Sequence, residues 1–228
     1  MNKLTLNVQA IFNSIDGEVN GFHGAGELCT FIRLRGCNLR CSYCDTKYAQ
    51  DGEITGTQMT VKQIMDFPGL LSKVTITGGE PLLQRDMMLK LVEKLISKGH
   101  RITIETNGTQ IPLPPSNLNL RYVMDYKLPS SGVCDQMIPQ AFEALMPVDV
   151  IKFVIADYND FYYARDLVIK NKWLARIVFS PMISNNKLYN TWVAELAELM
   201  LHDSKLFENV QYSLQLHKIL WPNVKEER

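Results

Sequence analysis

Short, β-branched apolar runs alternate with longer amphipathic stretches along this chain. Apolar runs at 28–34, 74–77, 102–105, 122–125, 150–155, 177–180 and 211–216 predict strands. Helical spacing predicts helices near 60–67, 86–98, 136–146, 160–171 and 187–202. The first of these opens on Thr60-Val-Lys-Gln63, where the Thr hydroxyl and the Gln side chain can each satisfy a free backbone amide. The second carries Met88, Leu91, Val92 and Leu95 on one face and stops at Gly99. The fifth carries Trp192, Leu196 and Leu199 on one face, and Met200 reads as core filler.

Alternating strands and helices predict an α/β fold with parallel strands. A doubly wound sheet and a barrel both satisfy that pattern, but the polar residues discriminate. They gather just beyond the C-terminal ends of the predicted strands: Arg35 and a cysteine loop, Gly78-Gly-Glu-Pro81, Thr106-Asn-Gly-Thr109, Lys127-Leu-Pro-Ser-Ser-Gly132, and His217-Lys218. A barrel carries its site on that face. Seven strands fall short of eight, so the expectation is a partial, open (β/α) barrel.

Composition narrows the class. The 228 residues suit one domain spanning 1–228. Lys plus Arg is 24 and Asp plus Glu is 24, so the basic footprint of a nucleic-acid binder is missing. No apolar run approaches the roughly 20 residues a membrane span needs. The first residues lack the apolar stretch of a signal peptide. Five cysteines, three of them in one loop, argue against a secreted disulfide framework and for a cytoplasmic metal or redox site. Cys29 lies in a predicted strand and reads as a buried small hydrophobe; Cys134 reads as an ordinary free thiol in a loop.

Chemistry concentrates in Gly36-Cys-Asn-Leu-Arg-Cys-Ser-Tyr-Cys-Asp-Thr46. Cys37, Cys41 and Cys44 are spaced CxxxCxxC. Three thiolates on one loop can hold three irons of a 4Fe–4S cluster, whose all-cysteine form needs a fourth. None stands nearby, which leaves one iron open to a ligand. A closed zinc site would want four N or S ligands, and only His23 and Cys29 are near enough to be candidates. Gly78-Gly-Glu-Pro81 follows a predicted strand. Its paired glycines allow backbone to approach a ligand closely, and Glu80 can accept N–H donors from a ligand ammonium.

The cysteine spacing, with Tyr43 before the last cysteine, and the Gly-Gly-Glu-Pro turn together resemble the radical S-adenosylmethionine (SAM) superfamily. The resemblance implies that SAM chelates the open iron and that Gly78, Gly79 and Glu80 meet its methionine amino group. It also implies the reaction type. The reduced cluster cleaves the sulfonium of SAM, and the resulting 5′-deoxyadenosyl radical takes a hydrogen from the substrate.

Four further segments narrow the resemblance: Phe12-Asn-Ser-Ile-Asp-Gly-Glu18, Phe31-Ile-Arg-Leu-Arg-Gly-Cys37 with Cys44-Asp-Thr46, Asp125-Tyr-Lys-Leu-Pro-Ser-Ser-Gly132, and Gln215-Leu-His-Lys218. From about Phe12 to Trp221 the chain is similar to the 7-carboxy-7-deazaguanine synthase family. That implies a carbon–nitrogen lyase of deazapurine (queuosine-type) biosynthesis. It converts 6-carboxy-5,6,7,8-tetrahydropterin to 7-carboxy-7-deazaguanine, with loss of ammonia, regenerated SAM and assistance from Mg²⁺. The family further implies a homodimer, and a flavodoxin or ferredoxin is the expected electron donor.

Carried onto this chain, the resemblance implies Thr46 as a hydroxyl ligand to Mg²⁺. It implies Tyr43, Cys44, Asp45, Asn107, Asp125, Lys127 and Ser180 as cofactor contacts, beside the Gly-Gly-Glu turn. Ile15, Asp16, Gly17, Glu18, Arg33, Thr77 and His217 would meet substrate. Arg33 can pair with its carboxylate, Glu18 can accept from its guanidine-like edge, and His217 is expected at the end of the final strand. No residue is assigned as catalytic beyond the cluster and SAM. Two features depart from the family pattern. Asp16 stands where many members have Gln, so its side chain carries no assigned role. The chain also continues past Lys218 to Arg228. Two rival readings remain at this stage: a glycyl-radical-enzyme activase, and a zinc-stabilised binding module without catalysis.

Overall fold

The computed structural model describes residues 4–19, 22, 25–51, 56–114, 118–183, 191–206 and 210–222. His23, the predicted helix start at 187–190 and the tail 223–228 lie outside them.

Among the described residues nine strands form one sheet: β1 (Thr5–Ile15), β2 (Leu28–Leu34), β3 (Thr57–Thr60), β4 (Lys73–Gly78), β5 (Arg101–Thr106), β6 (Leu120–Tyr126), β7 (Val150–Ile155), β8 (Arg176–Pro181) and β9 (Val210–Tyr212). Their order is β3-β1-β2-β4-β5-β6-β7-β8-β9. From β2 to β9 every neighbouring pair is parallel. β1 joins β2 and β3 antiparallel at one edge. The sheet is therefore open, with β3 and β9 at its edges. The seven parallel strands are those the apolar runs predict. β1 and β3 escape that reading. In β1 a register shift between Val8 and Ala10 interrupts the alternation begun by the buried Leu6 and Val8.

Six α-helices are found among the described residues: α1 (Val61–Met65), α2 (Arg85–Ser97), α3 (Pro139–Glu143), α4 (Tyr158–Lys170), α5 (Thr191–His202) and α6 (Leu216–Leu220). Thr60 caps α1 through the reciprocal bonds with Gln63. Met88, Leu91, Val92 and Leu95 are buried, and Gly99 takes φ +83° after α2. The helix predicted over 136–146 is shorter. A 3-10 turn (Cys134–Gln136) comes first, and Ile138 is extended because Pro139 follows it. The final strand is also shorter than the predicted 211–216. After Tyr212 the chain leaves the edge, Leu216 N–H donates to Gly17 O at 2.9 Å, and α6 begins.

The two sheet faces differ in chemistry. Ile32, Ile76, Ile104, Met124, Phe153 and Phe179 join the main core with the helices. The alternate positions face the concave side. There Val123, Val150 and Val178 form a small apolar cluster with Val19, while Arg33, Thr77, Glu105, Asp125 and Lys152 line a cavity.

Candidate active site

The cavity has a volume of about 1020 Å³ and opens at the C-terminal ends of the parallel strands. Cys37, Cys41 and Cys44 border it, with Tyr43, Asp45 and Thr46 of the same loop. Gly78, Gly79 and Asn107 come from the ends of β4 and β5, and Asp125 and Lys127 from β6. Ile15, Asp16, Gly17 and Glu18 enter from the end of β1, and His217 from α6. Sequence-predicted positions far apart in the chain thus meet on one wall.

The cysteine loop and the Gly-Gly-Glu-Pro turn are sewn together by backbone. Gly79 N–H donates to Leu34 O at 3.0 Å and Glu80 N–H to Gly36 O at 2.7 Å. Gly36 N–H donates to Ala49 O at 2.9 Å and Cys37 N–H to Gln50 O at 2.8 Å. A Cβ on Gly79 would lie 2.2 Å from Gly36 O, and one on Gly78 would lie 2.1 Å from Leu34 O. The close approach that these glycines permit is therefore to the cysteine loop itself. The Lys-Leu-Pro-Ser-Ser-Gly segment clamps the same loop from the other side. Ser42 N–H donates to Ser131 O at 2.9 Å and Ser42 Oγ to Ser130 O at 2.7 Å. Buried Asp160 in turn holds Ser130 through its N–H at 3.1 Å and through its hydroxyl.

Two residues expected to meet the cofactor do not border the cavity. Glu80 does not line the cavity. Its carboxylate is buried and accepts from Leu82 N–H (2.9 Å), the Thr106 hydroxyl (2.8 Å) and Asn107 N–H (2.7 Å). Burial raises its pKa above the usual carboxylate range despite those donors. Ser180 is buried behind the cavity wall, with no hydrogen-bond partner for its hydroxyl among the described residues. Asp16 borders the cavity, but its carboxylate pairs with buried Lys73 Nζ at 2.7 Å. His217 lies in α6 rather than on a strand, with Nε2 3.9 Å from Asp45 Oδ2. Lys218 Nζ pairs with the same oxygen at 2.8 Å, so α6 is tied to the cysteine loop.

A charged network, which the sequence reading only partly anticipated, crosses the concave face. Lys152 Nζ bonds Glu18 Oε2 and lies 3.2 Å from Asp125 Oδ1. Lys127 Nζ takes the other Asp125 oxygen at 2.8 Å, and Gln215 Nε2 donates to Glu18 Oε1 at 2.9 Å. Burial alone would raise Glu18, but Lys152 and His217 outweigh it and bring the carboxyl below its usual range. Asp125 is likewise lowered by Lys127 and Lys152 against burial. Glu105 goes the other way: burial and the Glu18 charge push it up to about 7. Sequence reasoning missed Glu105, Lys152 and Gln215. The available signal was a lone charge inside an apolar strand, as in Val150-Ile-Lys-Phe-Val-Ile155.

Arg33 also lines the cavity, and its Cζ lies 5.9 Å from the ring centroids of both Phe12 and Tyr48. Its Nε is buried without a hydrogen-bond partner among the described residues. Tyr43 is pushed up to about 12 by burial, and its hydroxyl is similarly unpartnered.

The donor set fits an iron–sulfur cluster. The three thiols share one wall, and Leu39 N–H and Asn107 Nδ2 lie 3.4 and 3.7 Å from Cys37 Sγ. Cys29 is buried in the core and Cys134 lies away from the cavity, so no fourth cysteine lines it. Among the described residues no three His, Cys, Asp or Glu side chains gather as a single-ion site, the arrangement that structural zinc would need.

Comparison with known proteins gives the same class first. The Radical SAM superfamily matches residues 31–119. A 7-carboxy-7-deazaguanine synthase from Clostridium acetobutylicum is 37% identical over 222 residues, covering 93% of this chain and 95% of that protein. One from Koribacter versatilis is 33% identical, covering 95% and 97%. The crystal structure of QueE from Escherichia coli superposes with a TM-score of 0.68 over 93% of this chain and 95% of that one, at 21% identity, so the fold is shared. The chain belongs to the 7-carboxy-7-deazaguanine synthase family of the radical SAM superfamily.

Proposed function

We propose that this chain converts 6-carboxy-5,6,7,8-tetrahydropterin to 7-carboxy-7-deazaguanine and ammonia, using a 4Fe–4S cluster, SAM and Mg²⁺. One observation carries the reading. Arg33, whose buried Nε has no hydrogen-bond partner among the described residues, and a cation-held carboxylate, Glu18, share one cavity with the cysteine trio. Bound by Cys37, Cys41 and Cys44, the cluster with SAM supplies hydrogen-atom abstraction.

The chain's own residues do the positioning. Arg33, beside the rings of Phe12 and Tyr48, pairs with the substrate carboxylate. Glu18 stays ionised and accepts the N–H donors of the pterin's guanidine-like edge. Thr77, opposite Arg33 in register, borders the same space. The Thr46 hydroxyl already donates to Asp45 Oδ1 at 2.9 Å, which leaves its oxygen lone pairs for Mg²⁺. The contacts of α6 with Asp45 and Gly17 hold His217 and Lys218 at the edge of the cavity. A homodimer, a flavodoxin or ferredoxin donor and a cytoplasmic setting complete the proposal. Among the described residues no helix is long and apolar enough to cross a membrane.

The test is anaerobic reconstitution with reductant, SAM, Mg²⁺ and the carboxytetrahydropterin. Deazaguanine product is expected. SAM cleavage without that product would sink the substrate assignment. Cys41→Ala is expected to lose both bound iron and turnover.

A further inference from the structure

We propose that Lys152 is a positioning residue for substrate: its ammonium, anchored on Asp125, holds the Glu18 carboxylate ionised and aimed at the pterin. This deepens the reading above and rests on it, since Glu18 is the group taken to meet the pterin edge.

The argument starts from the strand. β7 reads Val150-Ile-Lys-Phe-Val-Ile155, one cation in an otherwise apolar element. Packing of the sheet does not call for a charge there, and desolvating an ammonium costs free energy that an apolar residue would not. Yet Lys152 is 8% exposed. Its strand partner in the parallel register is Asp125, and that carboxylate's other oxygen is held by Lys127 at 2.8 Å. Lys152 is thus anchored on the sheet before it reaches Glu18, which arrives on the segment after β1. The anchor lets a rigid strand determine where a loop carboxylate points.

Charge balance gives the consequence of removing it. Glu18 has Lys152 and Gln215 as direct partners, with His217 acting at longer range. Glu105 from β5 and Asp125 from β6 are the acidic neighbours that face Lys152. Lys127 stays committed to Asp125, and Asp16 to Lys73. Without the Lys152 ammonium, Glu18 keeps the Gln215 amide bond and the more distant His217, but faces the Asp125 charge with no cation bonded to it. A buried carboxylate so placed takes up a proton more readily, and its protonated form cannot accept two N–H donors through both oxygens.

The test compares the reconstituted wild-type enzyme with Lys152→Met and Lys152→Arg. Pterin and SAM affinities are measured by equilibrium binding without reductant, between about pH 6 and about pH 8.5, the span in which a raised carboxyl would titrate. Lys152→Met is expected to weaken pterin binding by about tenfold or more, the loss of one charge-assisted bond. The deficit is expected to widen toward low pH. SAM affinity is expected to fall less, because Asp125 keeps Lys127. Lys152→Arg is expected to restore pterin affinity to within about threefold of wild type, since it keeps the cation. Equal losses of SAM and pterin, or a Lys152→Met enzyme with wild-type pterin affinity and pH profile, would overturn the role. Lys152→Gln provides a second neutral variant; if both neutral variants fail to fold while Lys152→Arg folds, the residue is structural and the proposal falls. A wild-type enzyme that does not bind the pterin at all would instead remove the substrate reading on which the role depends.

Discussion

Glu80 Oε2 accepts the backbone N–H of Asn107 at 2.7 Å, which joins the turn after β4 to the end of β5. Its Oε1 accepts both the Thr106 hydroxyl and Leu82 N–H. Asn107 then points its side-chain amide toward Cys37 Sγ and Asn38. In Glu80→Gln the amide nitrogen cannot accept, so at least one buried donor is left facing another donor. The expected cost is about 1–3 kcal/mol, or roughly 2–4 °C of Tm per kcal/mol at this chain length. Thermal unfolding of the reconstituted protein measures it, and iron content is expected to fall alongside. An unchanged Tm would contradict the buried-bond account.

Gly79 and Gly99 make a matched pair for testing the loop seam. A Cβ at Gly79 would meet Gly36 O at 2.2 Å, backbone that cannot move without shifting the residue before Cys37. At Gly99, φ is +83° and no atom lies within 4 Å of the added carbon. Gly79→Ala is expected to lose most of its reconstituted iron. Gly99→Ala is expected to keep its iron and lose about 1–2 kcal/mol from left-handed strain. Similar iron content in both variants would show that the seam does not govern cluster loading.

Arg33 offers a test specific to substrate. Its guanidinium lies against the rings of Phe12 and Tyr48 with no carboxylate partner among the described residues. Arg33→Met is expected to weaken pterin binding by roughly tenfold to a hundredfold, the range for a charge-assisted pair. SAM cleavage in the absence of pterin should be little changed. The split is read by comparing the KM for pterin with the rate of uncoupled SAM cleavage. A loss of both would move Arg33 from substrate binding to structure.

Glu105 predicts a pH dependence of stability. Burial and the Glu18 charge push its carboxyl up to about 7, with Lys152 and the Thr77 hydroxyl opposing and Asp16 adding to the rise. In the unfolded chain the group ionises near 4.5. Between those values the native state holds more protons than the unfolded state, so stability falls as pH rises through the window. Glu105→Gln removes that ionisation. Its Tm relative to wild type is expected to climb between about pH 5 and about pH 8 and then level off. A difference that shrinks with rising pH would reverse the sign and reject the assignment.

Much of the fold is legible in the chain because parallel strands packed under helices carry short, nearly continuous apolar runs even where single polar residues face the cavity. The runs at 28–34 and 150–155 match β2 and β7 end to end. β1 is not legible in the same way, because its register shift breaks the two-residue period. The last strand is overread because Leu214 and Leu216 continue an apolar pattern that the backbone abandons when Leu216 bonds Gly17.

The cysteine spacing and the Gly-Gly-Glu-Pro turn determined the class of chemistry from the sequence alone, since ligand number and local spacing are properties of a short stretch of chain. Only the tertiary structure decided what each motif residue does. Glu80 turned out to hold two strand ends together, Asp16 to pair with Lys73, and His217 to ride on α6. It alone revealed the Glu18–Lys152–Asp125 network, whose members come from β1's end, β7 and β6. The physical reason is distance along the chain. Electrostatic partners are chosen by strand order and register, which bring residues such as Glu18 and Lys152 together although more than half the chain separates them.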